Sequence, residues 1–247
     1  MDMNNPPNPN YSNSMNSSGQ QDFTYDQSDG LSSVRRANFL SKVLFFFGLA
    51  VLVSAGGVFT GFNFLSFLFI DNPSLMWIFF AAELILVFTA RWWSQTRPIN
   101  YFLFALFAFL TGIAITPFLV SIIIEFGSPD LIIKALVATT LTFTAAAIIG
   151  AVSHHNFSGL RGFLTIGLIG MIIVSVIGIF MPWDNTFEMV FSGIGVLLFT
   201  GYTLYDIQRL KTFPEDRYID AALRLYLDIF NLFLYILRLI AGVSRRH

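Results

Sequence analysis

The sequence predicts an all-α integral membrane protein, a seven-transmembrane-helix bundle with the last helix central. Three observations carry this. Of 247 residues, 55% are hydrophobic and only 12% are charged, about half the charged share of an ordinary soluble domain; mean hydropathy is +0.68. Seven long apolar runs follow one another from Asn38 onward. The last of them carries a stripe of polar residues on one face, and such a stripe must turn toward protein or water rather than lipid.

Residues 1–34 are rich in Asn, Ser, Gly and Pro and poor in aliphatic side chains. Such a stretch buries too little to offset its ordering entropy, so a disordered cytoplasmic tail is expected there. It lacks the basic start and short apolar core of a signal peptide. The transmembrane domain is expected over 35–247.

The runs fall at about 38–62, 74–93, 99–125, 129–152, 162–182, 186–208 and 219–242. Most approach the ~20 residues that cross a ~30 Å hydrocarbon core. They are continuous rather than alternating, which points to helices and not barrel strands. Turn residues and charges separate them: Asp71-Asn72-Pro73, Thr96-Arg97-Pro98, Gly127-Ser128-Pro129, His154 to Gly162, Pro182 to Asn185, and Phe213-Pro214-Glu215-Asp216. The short apolar segment 64–70 is expected to lie in the interface or dip back. In the third run Pro117 marks a kink. The small-residue stretch 138–151 suits close helix packing, and Gly193, Gly195 and Gly201 mark kinks or close approaches in the sixth.

Loop charge alternates. Arg35, Arg36 and Lys42 lie at the first run, Arg91 and Arg97 after the second, Arg161 after the fourth, and Arg209, Lys211 and Arg217 after the sixth. The intervening loops hold Asp71, then Glu125 and Asp130 with Lys134, then Asp184 and Glu188. Basic loops stay in the cytoplasm, so the amino terminus is expected inside. Arg245 and Arg246 then fall outside, against the rule. Either the last helix is buried and forced across, the preferred resolution, or it does not fully span.

Composition also excludes chemistry. Cysteine is absent, which removes disulfides, thiolate metal sites and cysteine nucleophiles. The net charge of -1 argues against nucleic acid as a partner. His154 and His155 are adjacent, not at the i, i+4 spacing of helix metal ligands, and read as interfacial residues. No cofactor is expected.

In the last run Arg224, Asp228, Asn231, Tyr235 and Arg238 recur at intervals of four, three, four and three, and share one helical face. Asp228 lies about 13 Å along that helix at 1.5 Å per residue. The sixth run ends with Asp206, with Tyr202 and Thr203 one turn back. A short link joins the two antiparallel runs, so the aspartates can approach. Two carboxyl groups in a low-dielectric site do not comfortably both ionise, and a shared proton is expected. A basic partner would compete, and Arg91, eight residues after Glu83, offers one. The competing structural reading has Asp206 ending a loop and Asp228 paired with Arg224. Glu83 is either proton-sensitive or bonded to the Thr and Ser of the third and fourth runs.

LYDIQRLK (Leu204 to Lys211) and ALRLYLDIFNLFLYILRLI (Ala222 to Ile240) resemble the transmembrane Bax-inhibitor-motif proteins, in particular their bacterial branch. The resemblance is sharpest at Tyr205-Asp206 and at Leu225 to Phe233, and extends over about 35–242. It implies seven helices with the last central, and a pH-sensitive calcium leak. It also implies that Asp206 and Asp228 are the pH sensor and gate, with calcium as tentative ligand and transported ion, and that Glu83 matches an acidic helix-two position. Arg91 and Arg97 lie one turn to either side of the place, near Ser94, where the family's helix-two arginine would fall. Arg224, Asn231 and Tyr235 complete the supporting set. The expected setting is the bacterial inner membrane.

Three function classes fit such a chain: an ion leak, an intramembrane aspartyl protease, and a regulator of a membrane-bound protease or stress response that conducts nothing. Oxygen ligands suit calcium. The protease is disfavoured because Leu225-Tyr226-Leu227, not Gly-x-Gly, precedes Asp228 and no later Pro-Ala-Leu follows; no enzyme activity is expected.

Overall fold

The computed structural model describes residues 16–65, 69, 71, 72 and 74–246. Seven helices long and apolar enough to cross a membrane are present among them, and no strand. They are α1 (Asn16–Thr60), α2 (Ser74–Trp93), α3 (Ile99–Phe126), α4 (Asp130–Val152), α5 (Leu160–Phe180), α6 (Asn185–Arg209) and α7 (Tyr218–Ser244). A π-helical turn, Gly61–Leu65, follows α1.

Every expected span is present; α2 has its expected bounds, and the ends from α3 onward differ from expectation by at most two residues. The punctuation works as its chemistry dictates. α3 stops at Gly127, whose φ of 70° suits a residue without Cβ and whose N–H donates to Ile123 O. α6 starts at Asp184, whose carboxylate accepts from the Thr186 and Phe187 amides. Pro117 sits inside α3.

The amino-terminal stretch differs from its expectation. Residues 1–15 lie outside the described residues, and 16–34 continue α1 outward; the apolar span itself begins at Ser32. Propagating an existing helix by one residue costs little compared with nucleating one, so a polar stretch that could not fold alone can extend a membrane helix. Of segment 64–70, Phe64 and Leu65 lie in the π turn, and Phe69 is buried edge-on to Phe79.

The packing makes α7 the axis. It touches α1, α3, α4 and α6, while α2 packs along α3 and α5 along α6. Tyr226, Leu232 and Leu237 of α7 are almost wholly buried; the Tyr226 ring stands edge-on to Phe104 and Phe107 of α3. By contrast Leu52, Phe88, Phe102, Ile124, Phe163, Phe180 and Leu197 are exposed on outward faces. An apolar belt of this extent has no place in water and suits lipid. The chain is a multi-pass membrane protein.

Small residues set the closest approaches. A Cβ on Gly57 of α1 would meet the Phe109 carbonyl of α3, and one on Gly112 of α3 would meet the Ser54 carbonyl of α1. Gly195 lies against the Tyr235 ring, joining α6 to α7, whereas Gly193 faces open space. Gly150 of α4 lies against the Leu204 carbonyl of α6, so the small-residue stretch does pack closely.

Polar contacts fasten both ends. At one end Arg36 donates to the carbonyls of Leu210 (3.3 Å) and Phe213 (2.8 Å), and the Tyr101 and Tyr218 hydroxyls are hydrogen-bonded. Gln208 accepts from the Phe157 amide at 2.7 Å and donates to the His155 carbonyl. At the other end Arg245 meets Glu125.

Candidate functional site

Asp206 sits one turn before the end of α6 and Asp228 in the third turn of α7, on the pair of helices with the most extensive mutual contact. The short link Leu210 to Arg217 returns the chain at once and sets α7 antiparallel beside α6, so both acids lie on adjoining helices toward the same end of the bundle. Both are buried, at 5% and 4% exposure. The two carboxyl groups are close enough to repel one another, and Arg224 is close enough to attract both.

One oxygen of each, Asp206 Oδ1 and Asp228 Oδ2, is enclosed without a hydrogen-bond partner. Buried polar atoms rarely go unpaired, because each then carries its desolvation cost uncompensated. Neither acid is held in an ion pair among the described residues: the salt bridges there are those of Arg36 and Arg245. The i, i+4 pairing of Asp228 with Arg224 is therefore not formed as an ion pair. No hydrogen bond joins Asp206 to Asp228 either.

The surroundings explain the isolation. Thr203, one turn before Asp206, is fully buried but spends its hydroxyl on the Phe199 carbonyl at 2.9 Å. The Asn231 amide, one turn after Asp228, donates to the Leu227 carbonyl at 2.8 Å. Tyr202 is the remaining polar neighbour, close enough to feel both aspartates and Arg224. Two acids are thus enclosed, near each other, while the Thr203 and Asn231 donors are turned to their own helices and Tyr202 also meets Thr165 of α5.

The other residues singled out from sequence scatter. Tyr235 lies two turns up α7, stacked on Phe199 at 5.6 Å. Arg238 stands over the Phe118 ring at 5.5 Å. Glu83 accepts from Thr111 Oγ1 of α3 at 3.0 Å and sits beside Tyr226, a second polar cluster apart from the aspartates. Arg91 is exposed at the end of α2, a helix whose main contact is α3. Arg224 and Arg209, not Arg91, are the cations near the acids. No group of three or more His, Asp or Glu side chains converges among the described residues. Calcium prefers six to eight oxygens, so two carboxylates alone suit brief contact with a passing ion better than a resident one.

Gln208 was not singled out from sequence as part of the site. Two residues past Asp206, it stitches the α4–α5 link to the end of α6. The only signal was its place in a polar helix end.

The profile of the family described as "Inhibitor of apoptosis-promoting Bax1" matches residues 36–245. The chain belongs to the Bax inhibitor family. Its relatives include protein lifeguard 4 of Mus musculus, 30% identical over 93% of this chain and 96% of that protein. Bax inhibitor 1 of Schizosaccharomyces pombe is 31% identical over 84% of this chain and 77% of its own length. An uncharacterized protein of Campylobacter jejuni is 27% identical over 91% and 98%. The matched region of this Bax inhibitor family protein starts at Arg36 and holds all seven spans almost entirely.

Proposed function

We propose that this Bax inhibitor family protein is a pH-sensitive calcium leak of a bacterial inner membrane, gated by Asp206 and Asp228 as one proton-linked pair. The observation that carries the reading is the enclosure of two neighbouring carboxyl groups on adjoining helices, each with an oxygen that lacks a partner. Intramembrane acids are costly and are retained where a pathway or proton relay needs them. One proton between the two carboxyls removes their repulsion and binds α6 to α7. Its loss sets them against each other unless Arg224 moves in. Calcium favours the doubly ionised pair, so ion and proton compete. No bond-making step is assigned to either acid.

Purified protein in liposomes loaded with a calcium indicator tests this. Protein-dependent calcium flux that changes with pH is expected; liposomes no leakier than empty ones at any pH would contradict it. That second result would favour the regulatory reading, in which the protein modulates a membrane-bound protease or stress response. Two relatives, Bax inhibitor 1 of Schizosaccharomyces pombe and the Golgi anti-apoptotic protein of vaccinia virus, carry names of regulators, which supports a regulatory role in general.

The proposed topology has the amino terminus in the cytoplasm and the carboxyl terminus outside. Supporting this, Arg36, Lys42, Arg97 and Arg209 gather at one end of the bundle around Phe39, Tyr218 and Phe213, and α7 at 27 residues is long enough to cross. A topology reporter fused after His247 should be active only outside. Activity in the cytoplasm would contradict this topology.

A further inference from the structure

The two arginines that violate the charge rule stand in a built environment. Arg245, just past the end of α7, grips Glu125 of α3 with two parallel contacts, Nε to Oε1 at 2.6 Å and Nη2 to Oε2 at 2.9 Å. Its Nη1 also reaches Glu188 Oε2 of α6 at 3.6 Å. Arg246 donates to Thr186 Oγ1 at 2.7 Å, and the Asn185 amide donates to the Gly242 carbonyl at 3.0 Å. Gly242 itself lies against the Met189 side chain, so the last turn of α7 is seated directly on the first turns of α6.

A guanidinium gripping one carboxylate through two donors fixes direction as well as distance, which an ammonium cannot do. Glu125 and Glu188 come from helices that approach α7 from different sides. A single exposed ion pair contributes little; here one side chain joins three helix ends, and the central helix is the one joined.

We infer that Arg245 is the outer latch of the central helix, clipping α7 at once to α3 and α6, so that α7 shifts against its neighbours only after Arg245 releases a carboxylate. The latch lies at the end of α7 opposite to the aspartates and acts as a positioning device. Only its consequence for flux rests on the proposed leak.

Hydrogen exchange on the full-length protein in lipid nanodiscs tests the latch without reference to conduction. Arg245→Gln should lower protection of the amides from Ile240 to Ser244 about fivefold, with amides at the centre of α3 unchanged. Glu125→Gln added to Arg245→Gln should cost little further protection, since both changes break the same contact, and Arg245→Lys should keep more protection than Arg245→Gln and less than the wild type. Unchanged protection in Arg245→Gln, or single losses in Glu125→Gln and Arg245→Gln that simply add in the double variant, would overturn the latch. In the liposome assay, a wild type that leaks should leak faster as Arg245→Gln. A wild type that does not leak would defeat the proposed function and leave the exchange result to decide the latch.

Discussion

Asp206→Asn and Asp228→Asn are each expected to flatten the pH dependence of calcium flux through the reconstituted protein, and the double variant is expected to add little. Asparagine keeps the size and polarity of the side chain but carries no exchangeable charge, so either change leaves the partner with no carboxyl to share its proton. If the two titrate as a unit, breaking either member breaks the unit. Between about pH 5 and 8 a wild-type change of about tenfold, the effect of one pH unit on a single titration, should fall to about twofold or less in each variant. Because calcium favours the doubly charged pair, adding calcium to weakly buffered protein should release protons in the wild type and not in either variant. Two single variants that keep the wild-type pH profile would make the aspartates structural.

Gly112→Ala should strongly reduce the yield and thermal stability of folded protein in detergent. The added Cβ would fall on the Ser54 backbone carbonyl of α1, and a backbone, unlike a flexible side chain, can yield only by moving the whole helix. Overpacking of this kind costs about 1–3 kcal/mol or more. Gly57→Ala, aimed at the Phe109 carbonyl, should behave alike. Gly56 provides the contrast, since nothing lies within 4 Å of a Cβ there; Gly56→Ala should be neutral or stabilising, because alanine is the better helix former by up to about 1 kcal/mol. Equal effects at positions 56 and 57 would show that backbone preference, not the α1–α3 approach, governs this region.

Much of the fold was legible because the bilayer leaves few choices. Apolar runs of the right length, ended by Pro, Gly and charges, become helices, and the five-residue polar stripe of α7 predicted its central place. Adjacency along the chain made the Asp206–Asp228 approach readable too, since a short link sets two antiparallel helices side by side. Arg91 shows where this stops. Spacing along α2 does not tell which helix a residue meets: Glu83 meets Thr111 of α3, Arg91 is exposed, and the cations beside the aspartates come from α6 and α7 themselves. The Glu125–Arg245 grip spans 120 positions and has no local signal at all. Its only trace was a pair of arginines on the wrong side of the charge rule. The amino-terminal stretch shows a different limit: composition says whether a segment can fold alone, whereas residues 16–34 continue α1.

Infrared difference spectroscopy of the protonated-carboxyl stretch, recorded on wild type and both aspartate-to-asparagine variants between about pH 5 and 8, tests the shared proton most directly. A shared proton predicts one carboxyl band in the wild type that titrates together with the calcium flux, and a band that titrates at a different pH in each single variant. A wild-type band whose midpoint is the same in both variants, or the absence of any such band across the range where flux changes, would contradict a proton-linked pair.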